Sequence, residues 1–178
     1  MAAVYQTAPK EVEALLKAVR AQYYRDLDET GVTICVLMAV AKAKETPDGE
    51  IVGEAMDPAL KLHGHEAAAV ISITSHKNRV AGQDDALLCI DAKKWEDMDD
   101  SQRRALLDGQ LQRIQVRVDD DGNPLTDDCS RPKLALRPFD YVLRGYEAVA
   151  KRHGENSQEV IEAKAWAKDG AGQMLMWG

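Results

Sequence analysis

The hydrophobic and polar positions in the first half of the chain follow two periods, and each period predicts a different kind of element. Between residues 10 and 27 apolar side chains recur every three or four residues, which predicts an amphipathic first helix. Gly31 interrupts this spacing, and Val32–Ala41 is almost continuously apolar, as is typical of a buried strand. Two shorter apolar runs, 70–74 and 86–90, predict further strands.

Turn residues divide these runs. Thr46–Gly49 carries a turn signal, and the short apolar stretch 50–54 after it predicts the returning strand of a hairpin. Residues 78–84 are polar and are predicted to form a loop. A brief helical or turn segment is predicted at 93–95.

Helical spacing returns in the second half. Asp99 followed by Gln102 predicts a capping box. Apolar residues then predict one long helix at spacings of four, three and four: Leu107, Leu111, Ile114 and Val118. A strong turn signal at 119–124 and the alternation of Leu134 with Leu136 predict a hairpin. Two further helices are predicted at 141–153 and 158–168, the second capped by Ser157.

This order of elements predicts an α+β fold, with a small, mostly antiparallel sheet packed on helices. We expect a main domain over residues 1–154, followed by a C-terminal helix and apolar tail over 155–178. No internal repeat is evident in the sequence.

Composition and charge narrow the function classes. The chain has 178 residues, of which 45% are hydrophobic and 30% charged, and these proportions exclude a wholly disordered protein. No apolar run approaches the ~20 residues of a membrane helix. With 30 acidic against 23 basic residues the net charge is −7, which disfavours binding to nucleic-acid phosphates. The odd set of three cysteines fits a reducing cytoplasm: Cys35, Cys89 and Cys129.

One window carries a family resemblance. Trp95, the stretch Ser101–Asp108 and Leu111 match the active-site helix of a family of phage metallopeptidases, within the SprT-like, zincin-type group, which reads A-L-[LI]-D-H-E-L-x-H. The acidic turn Asp119–Asn123 and the later Arg137–Asp140 are similar to further family segments. The resemblance implies a minimal zincin-like metallopeptidase architecture.

The residues that carry the chemistry of that motif are replaced. In such a helix two histidines four residues apart hold zinc, and the glutamate beside the first is the general base. This sequence has Gly109, Gln110 and Arg113 at those positions, and Phe139 where the resemblance implies a third ligand. None of these side chains binds zinc or accepts a proton usefully. The resemblance therefore implies a pseudoenzyme with no metal cofactor.

Two neighbouring positions leave alternatives open. A mid-helix glycine is costly, so Gly109 permits close backbone packing, replaces a metal-binding histidine, or does both. Arg113 either faces the cleft in place of the metal, paired with an acid such as Asp140 or Asp108, or is a simple surface arginine.

Other candidate sites compete with this interpretation. His63, His65 and His76 would form a relocated metal site, with exposed loop histidines as the alternative. The tail residues Met174, Met176 and Trp177 either dock a partner or pack on the parent domain. A basic stretch would bind nucleic acid or form a solvated helix face: Arg103, Arg104, Arg113 and Arg117.

We therefore expect a catalytically inactive phage protein that binds a host or phage protein, as an inhibitor in phage–host conflict. The acidic surface favours a basic partner, including a nucleic-acid-binding host enzyme. The rival expectation is an active metal-dependent hydrolase with relocated ligands, and a third is a nucleic-acid-associated protein. The oligomeric state stays open.

Overall fold

The computed structural model describes residues 3–42, 44–45, 51–52, 59–62, 64–138 and 147–169. The chain divides into two compact units, Met1–Pro138 and Phe139–Gly178. The predicted domain boundary after residue 154 stays a prediction.

Short strands and helices alternate along the described part of the chain. The strands are β1 (Val4–Thr7), β2 (Ile34–Val40), β3 (Lys44–Glu45), β4 (Ile51–Val52), β5 (Lys61–Leu62), β6 (His65–Glu66), β7 (Ala69–Ile73), β8 (Ala86–Asp91), β9 (Ile114–Val116) and β10 (Leu134–Leu136). The helices are α1 (Lys10–Tyr23), α2 (Arg25–Glu29), α3 (His76–Val80), α4 (Ala92–Glu96), α5 (Asp100–Leu111), α6 (Glu147–His153) and α7 (Gln158–Asp169), with a 3₁₀ turn at Gly154–Asn156.

A four-stranded sheet with the order β1-β2-β8-β7 forms the centre of the first unit. The outer pairs β1–β2 and β7–β8 are antiparallel, and the central pair β2–β8 is parallel. Three two-stranded ribbons accompany it, β3–β4, β5–β6 and β9–β10. The predicted α+β class is confirmed.

Helices α1 and α5 contact each other and cover one face of the sheet. Each contributes an apolar stripe at helical spacing, and the alternate residues of the central strands meet these stripes, because successive strand side chains point to opposite faces. The fully buried members of this core include Val12, Val19, Leu107, Leu111, Ile71, Leu88 and Ile90. Each such side chain contributes about 1.5–3 kcal/mol relative to an exposed position.

The capping box at the start of α5 is present as predicted. Asp99 Oδ1 accepts from the backbone N–H of Gln102 at 2.8 Å, and Gln102 Oε1 accepts from the Asp99 N–H at 2.9 Å. In the second unit Ser157 Oγ accepts from Val160 N–H at 3.3 Å, which confirms the predicted cap of α7.

The predicted end of the second long helix is wrong. Helix α5 stops at Leu111, and residues 114–116 form β9. Ile114 is buried, but Val118 is 53% exposed, so the apparent stripe does not continue. The β-branched residues after Leu111 favour a strand, and pairing of β9 with β10 satisfies their backbone groups.

Three smaller expectations also change. The predicted first helix is broken after Tyr23 and resumes as α2, and the predicted loop 78–84 begins inside α3. Strand β1 was not predicted, because all four of its side chains are exposed and give no period. The predicted turn 46–49 lies outside the described residues, although its flanking strands β3 and β4 do pair.

Across the described part of the chain, no helix combines the length and hydropathy needed to cross a membrane.

Candidate functional site

The candidate site lies at the carboxyl end of α5. Leu107 and Leu111 are fully buried and fix the rotation of this helix against the sheet. Residues between them are therefore turned toward the helix flanks, where Asp108 and Gln110 are half-buried and Gly109 is exposed.

Gly109 is not required for packing. Among the residues that the structure describes, a Cβ atom at this position would meet no heavy atom within 4 Å, and Gly109 does not have a positive φ. Close packing against the described part of the chain is therefore not the reason for this glycine. Neither sterics nor backbone geometry explains the glycine, and space exists at this position for the first atom of a larger side chain.

Gln110 holds the edge of the sheet. Its Oε1 accepts from the backbone N–H of Ile71, on β7, at 3.1 Å. Strand β7 is an outer strand, and the Thr74 N–H donates to Asp85 O toward β8. Because such donations alternate along an antiparallel strand, the N–H of Ile71 points away from β8, toward the free edge. The neutral amide oxygen of Gln110 thus accepts the hydrogen bond of a backbone N–H at the edge of the sheet.

Asp108 is engaged by Tyr24. The Tyr24 hydroxyl lies 2.5 Å from Asp108 Oδ1, to which it donates, and 3.0 Å from Gln112 Oε1. Burial, and then the hydrogen bond to Asp108, raise the pKa of Tyr24 well above its usual value. The phenol therefore stays protonated and links the α1–α2 junction to the end of α5.

Arg113 follows the end of α5 and is half-buried. Its backbone N–H donates to Gln110 O at 3.2 Å, and its carbonyl accepts from Arg137 N–H at 2.8 Å. Phe139 and Asp140 lie outside the described residues. The pairing of Arg113 with Asp140 or Asp108 stays a prediction.

The structure describes two of the three candidate histidines. His65 is exposed on β6. His76 lies between two carboxylates, with Nδ1 3.5 Å from Asp127 Oδ2 and Nε2 3.4 Å from Asp128 Oδ2. His63 lies outside the described residues, as do the tail residues Met174, Met176 and Trp177. Among the side chains that the structure describes, no group of three or more His, Cys, Asp or Glu is arranged to hold a metal ion.

Sequence reasoning missed a buried ion-pair network. Arg79 is 6% exposed, and its Nη2 lies 2.8 Å from Asp85 Oδ1, while its Nη1 lies 3.2 Å from Asp127 Oδ2. Arg131 Nη2 lies 2.9 Å from the same oxygen of Asp85, which is 1% exposed. Asp85 Oδ2 also accepts from the N–H of Thr33 at 2.8 Å. This network joins α3 and the start of β8 to the long β9–β10 connection.

That connection contains a tandem turn, which corrects the expectation of no internal repeat. Residues 118–125 read VDDDGNPL and residues 126–133 read TDDCSRPK. In the first copy Asp119 Oδ1 accepts from the N–H groups of residues 121 and 123. In the second copy Asp127 Oδ1 accepts from those of residues 129 and 131, at 2.8–3.0 Å throughout. The matching Asp-Asp and Pro at a spacing of eight residues is the signal that would have revealed it.

The two turns are closed by a ring of backbone bonds, in which Leu125 N–H donates to Arg117 O, Lys133 N–H to Leu125 O and Arg117 N–H to Lys133 O. Backbone N–H groups lower the pKa of both Asp119 and Asp127, and the Arg79 guanidinium adds to the effect on Asp127.

The residues at the end of α5 do not fit a catalytic zinc ion. Zinc takes thiolate, imidazole or carboxylate donors. Gly109 has no side chain, the Gln110 oxygen is bonded to Ile71, and Arg113 is a cation. Asp108 carries the one zinc-type donor group of residues 108–113, and Tyr24 engages it.

These features define an α+β domain with a capped helix laid across a small mixed sheet, and with a candidate site at the end of that helix. The chain belongs to the family described as "Putative phage metallopeptidase", whose model matches residues 4–168. Searches among curated proteins and among solved structures give no match.

Proposed function

We propose that this chain is a catalytically inactive member of its family. The observation that carries the proposal is the chemistry at the end of α5. The position that the resemblance assigns to the general base is Gln110, whose oxygen caps the N–H of Ile71. A neutral amide in that arrangement does not take a proton from water, and its neighbours Gly109 and Arg113 supply no metal ligand.

The chain would then act by binding. We propose that it is a phage protein that binds a host or phage protein in the bacterial cytoplasm, as an inhibitor in phage–host conflict. Its net charge of −7 favours a basic partner, including a nucleic-acid-binding host enzyme. The exposed carboxylates of the first turn copy, Asp119–Asp121, add to the acidic surface.

Direct binding to nucleic acid is less well supported. Arg103, in the basic stretch of α5, is engaged within the protein. Its guanidinium lies 5.4 Å from the ring centroid of Trp95, and its Nε donates to Trp95 O at 3.1 Å. This arginine therefore serves α4–α5 packing and is not a free phosphate contact.

Metal content and peptidase activity, measured together, test the proposal. The full chain would be loaded with zinc, dialysed, and assayed for bound metal and for cleavage of an unstructured protein substrate. We expect no stoichiometric zinc and no chelator-sensitive cleavage. One zinc per chain with chelator-sensitive cleavage would support the rival, a hydrolase whose ligands include His63, His65 or His76.

A reverted variant provides the matched control. Gly109→His, Gln110→Glu and Arg113→His together restore the side chains of the helix motif, and a Cβ atom at residue 109 meets no described heavy atom within 4 Å. A second variant, Gly109→Ala with Gln110→Ala and Arg113→Ala, changes the same positions without adding ligands. We expect tighter zinc retention in the reverted variant than in either the alanine variant or the natural chain.

Capture of partners from a host lysate tests the binding part of the proposal. We expect the natural chain and the alanine variant to retain the same partner, because the proposed function does not use the motif chemistry. If the folded natural chain captured no specific partner, that result would contradict a binding role.

A further inference from the structure

The two edges of the main sheet differ in how their backbone groups are used. Just after β1, Ala8 N–H donates to Val36 O at 3.3 Å. The backbone N–H and C=O groups of the even-numbered residues of β1 therefore point toward β2. Alternation along an antiparallel pair then turns the N–H and C=O groups of Tyr5 and Thr7 away from the sheet. The parallel pairing on the other side of β2 is consistent with this assignment. There Ala86 N–H donates to Thr33 O, so odd-numbered residues direct their backbone groups toward β8 and even-numbered residues toward β1. Among the strands that the structure describes, none pairs with the outer side of β1, which thus presents an open edge.

A groove of about 620 Å³ lies beside this edge, on the face of the sheet that the helices cover. Strand β1 contributes Gln6 and Thr7 to its wall, and its apolar lining includes Val12, Met38 and Trp95. An extended peptide that adds to β1 would turn every second side chain toward this face, since strand side chains alternate. The groove would receive apolar side chains of such a peptide.

The rim of the groove carries an excess of negative charge. Glu11, Glu96 and Asp100 line it together with two arginines, Arg103 and Arg104. Arg103 Nη1 lies 3.5 Å from Asp100 Oδ1 and is therefore engaged within the rim. Glu11 and Glu96 are exposed, with Arg104 as the remaining cation on the α5 side. The rim favours a peptide that carries lysine or arginine.

We propose that the open edge of β1 and its groove bind an extended segment of a partner protein, whose groove-facing side chains, at every second position, include both apolar and basic residues. The segment pairs with the outward backbone groups of Tyr5 and Thr7, and its apolar side chains enter the groove. This inference rests on the proposed binding function and assigns it a surface. The surface lies at the opposite edge of the sheet from Gln110.

Two synthetic decapeptides provide the probe. Both carry Thr at every second position, and at the positions between, one carries Val and Lys and the other carries Val and Glu, so that the apolar and charged side chains face the groove together. Binding to the full chain would be measured by fluorescence anisotropy, and exchange of the Tyr5 and Thr7 amides by NMR. We expect the Lys peptide to bind at least about tenfold more tightly than the Glu peptide, by charge complementarity. Both amides should exchange more slowly when the Lys peptide is bound.

Proline variants separate strand addition from simple charge attraction. Tyr5→Pro and Thr7→Pro each remove one outward N–H and leave the bonds to β2 in place, and proline is tolerated on edge strands. Each should weaken binding of the Lys peptide by about tenfold, as expected for loss of about one hydrogen bond. Tyr5→Ala keeps the N–H and is the matched control. Glu11→Lys with Glu96→Lys should weaken binding further, whereas Glu29→Lys on α2 should not.

Four results would overturn the proposal. These are no binding of the Lys peptide by a folded chain, equal binding of both peptides, binding unaffected by the folded proline variants, and amide protection that rises with protein concentration in the absence of peptide. The last would assign the edge to a second copy of this chain. None of these results measures zinc binding or peptidase activity, so the proposal of an inactive enzyme is tested separately.

Discussion

The two edge strands of the central sheet, β7 and β1, differ in whether their outward backbone groups are hydrogen-bonded within the described part of the chain. Both are outer strands whose alternate backbone groups point away from the sheet. At the β7 edge the N–H of Ile71 is bonded to Gln110 of α5, and β10 lies in contact with the strand. At the β1 edge Tyr5 and Thr7 direct their groups outward beside a groove. The first edge is closed by the chain itself, and the second is open.

At the closed edge Gln110 of α5 has a structural role, since its side-chain oxygen accepts from the N–H of Ile71. A residue that holds an edge donor contributes to stability whether or not any chemistry takes place. The β7 edge therefore contributes to the stability of the domain, whereas the β1 edge is the surface proposed for binding.

The largest expected effect comes from breaking the network that anchors the β7 side of the sheet. Asp85→Asn removes the buried charge that both Arg79 and Arg131 face, leaving the buried Arg79 guanidinium and the partly exposed Arg131 guanidinium without this partner. We expect a loss of about 3–5 kcal/mol in the free energy of unfolding, measured by urea denaturation. Asp128→Asn is the control, because that side chain is 85% exposed. A loss below about 1 kcal/mol for Asp85→Asn would mean that the network is dispensable.

Opening the closed edge should have a smaller effect. Gln110→Ala leaves the N–H of Ile71 without its acceptor and should cost about 1–2 kcal/mol, with faster hydrogen exchange at that amide. Gln110→Glu keeps an acceptor oxygen and should retain slow exchange. Unchanged exchange of Ile71 in Gln110→Ala would show that the edge is closed by another group.

Gly109→Ala should have an effect of the opposite sign at the same helix end. The substitution replaces a helical glycine in open space, so we expect a gain of about 0.5–1 kcal/mol in the free energy of unfolding. Gly122→Ala is a contrasting control, because Gly122 has a φ of 84° and any side chain there is strained. Destabilisation by Gly109→Ala would indicate a packing role after all.

The smallest expected effect is a pH dependence at the tandem turn. The folded-state pKa of Asp119 and Asp127 is below the ordinary value of 3.8, so each carboxylate contributes stability above that pH. The contribution is lost as the pH falls below 3.8 through the folded-state pKa. Thermal melts between pH 5 and about 2.5 should show Asp119→Asn with a shallower decline in Tm than the natural chain. A parallel decline would contradict these assignments.

Sequence patterns were sufficient for elements that repeat an apolar period over many residues. Helix α1, strands β2 and β8, and the capped start of α5 follow directly from spacing and from Asp99 with Gln102. Strand β1 was missed because its exposed side chains carry no period. The end of α5 was misplaced because Ile114 and Val118 happen to continue the helical spacing, although one lies on a strand and the other is exposed.

The candidate site was only partly accessible from sequence. The replacement of motif side chains at 109, 110 and 113 is visible in the letters alone, given the resemblance. The bond from Ile71 to Gln110 is not, because it depends on strand order and on which backbone groups face the edge. The network of Arg79 and Asp85 was missed for a similar reason, since Arg79 lies in an expected polar loop and its other partners, Asp127 and Arg131, are far along the chain.

The central claim is that the end of α5 no longer holds a catalytic metal. Its most direct test is the zinc content of the purified natural chain after loading and dialysis, measured beside the variant that carries His, Glu and His at positions 109, 110 and 113. We predict no stoichiometric zinc in the natural chain and retained zinc in the variant. One zinc per natural chain, lost on substitution of residues at the end of α5, would contradict the claim.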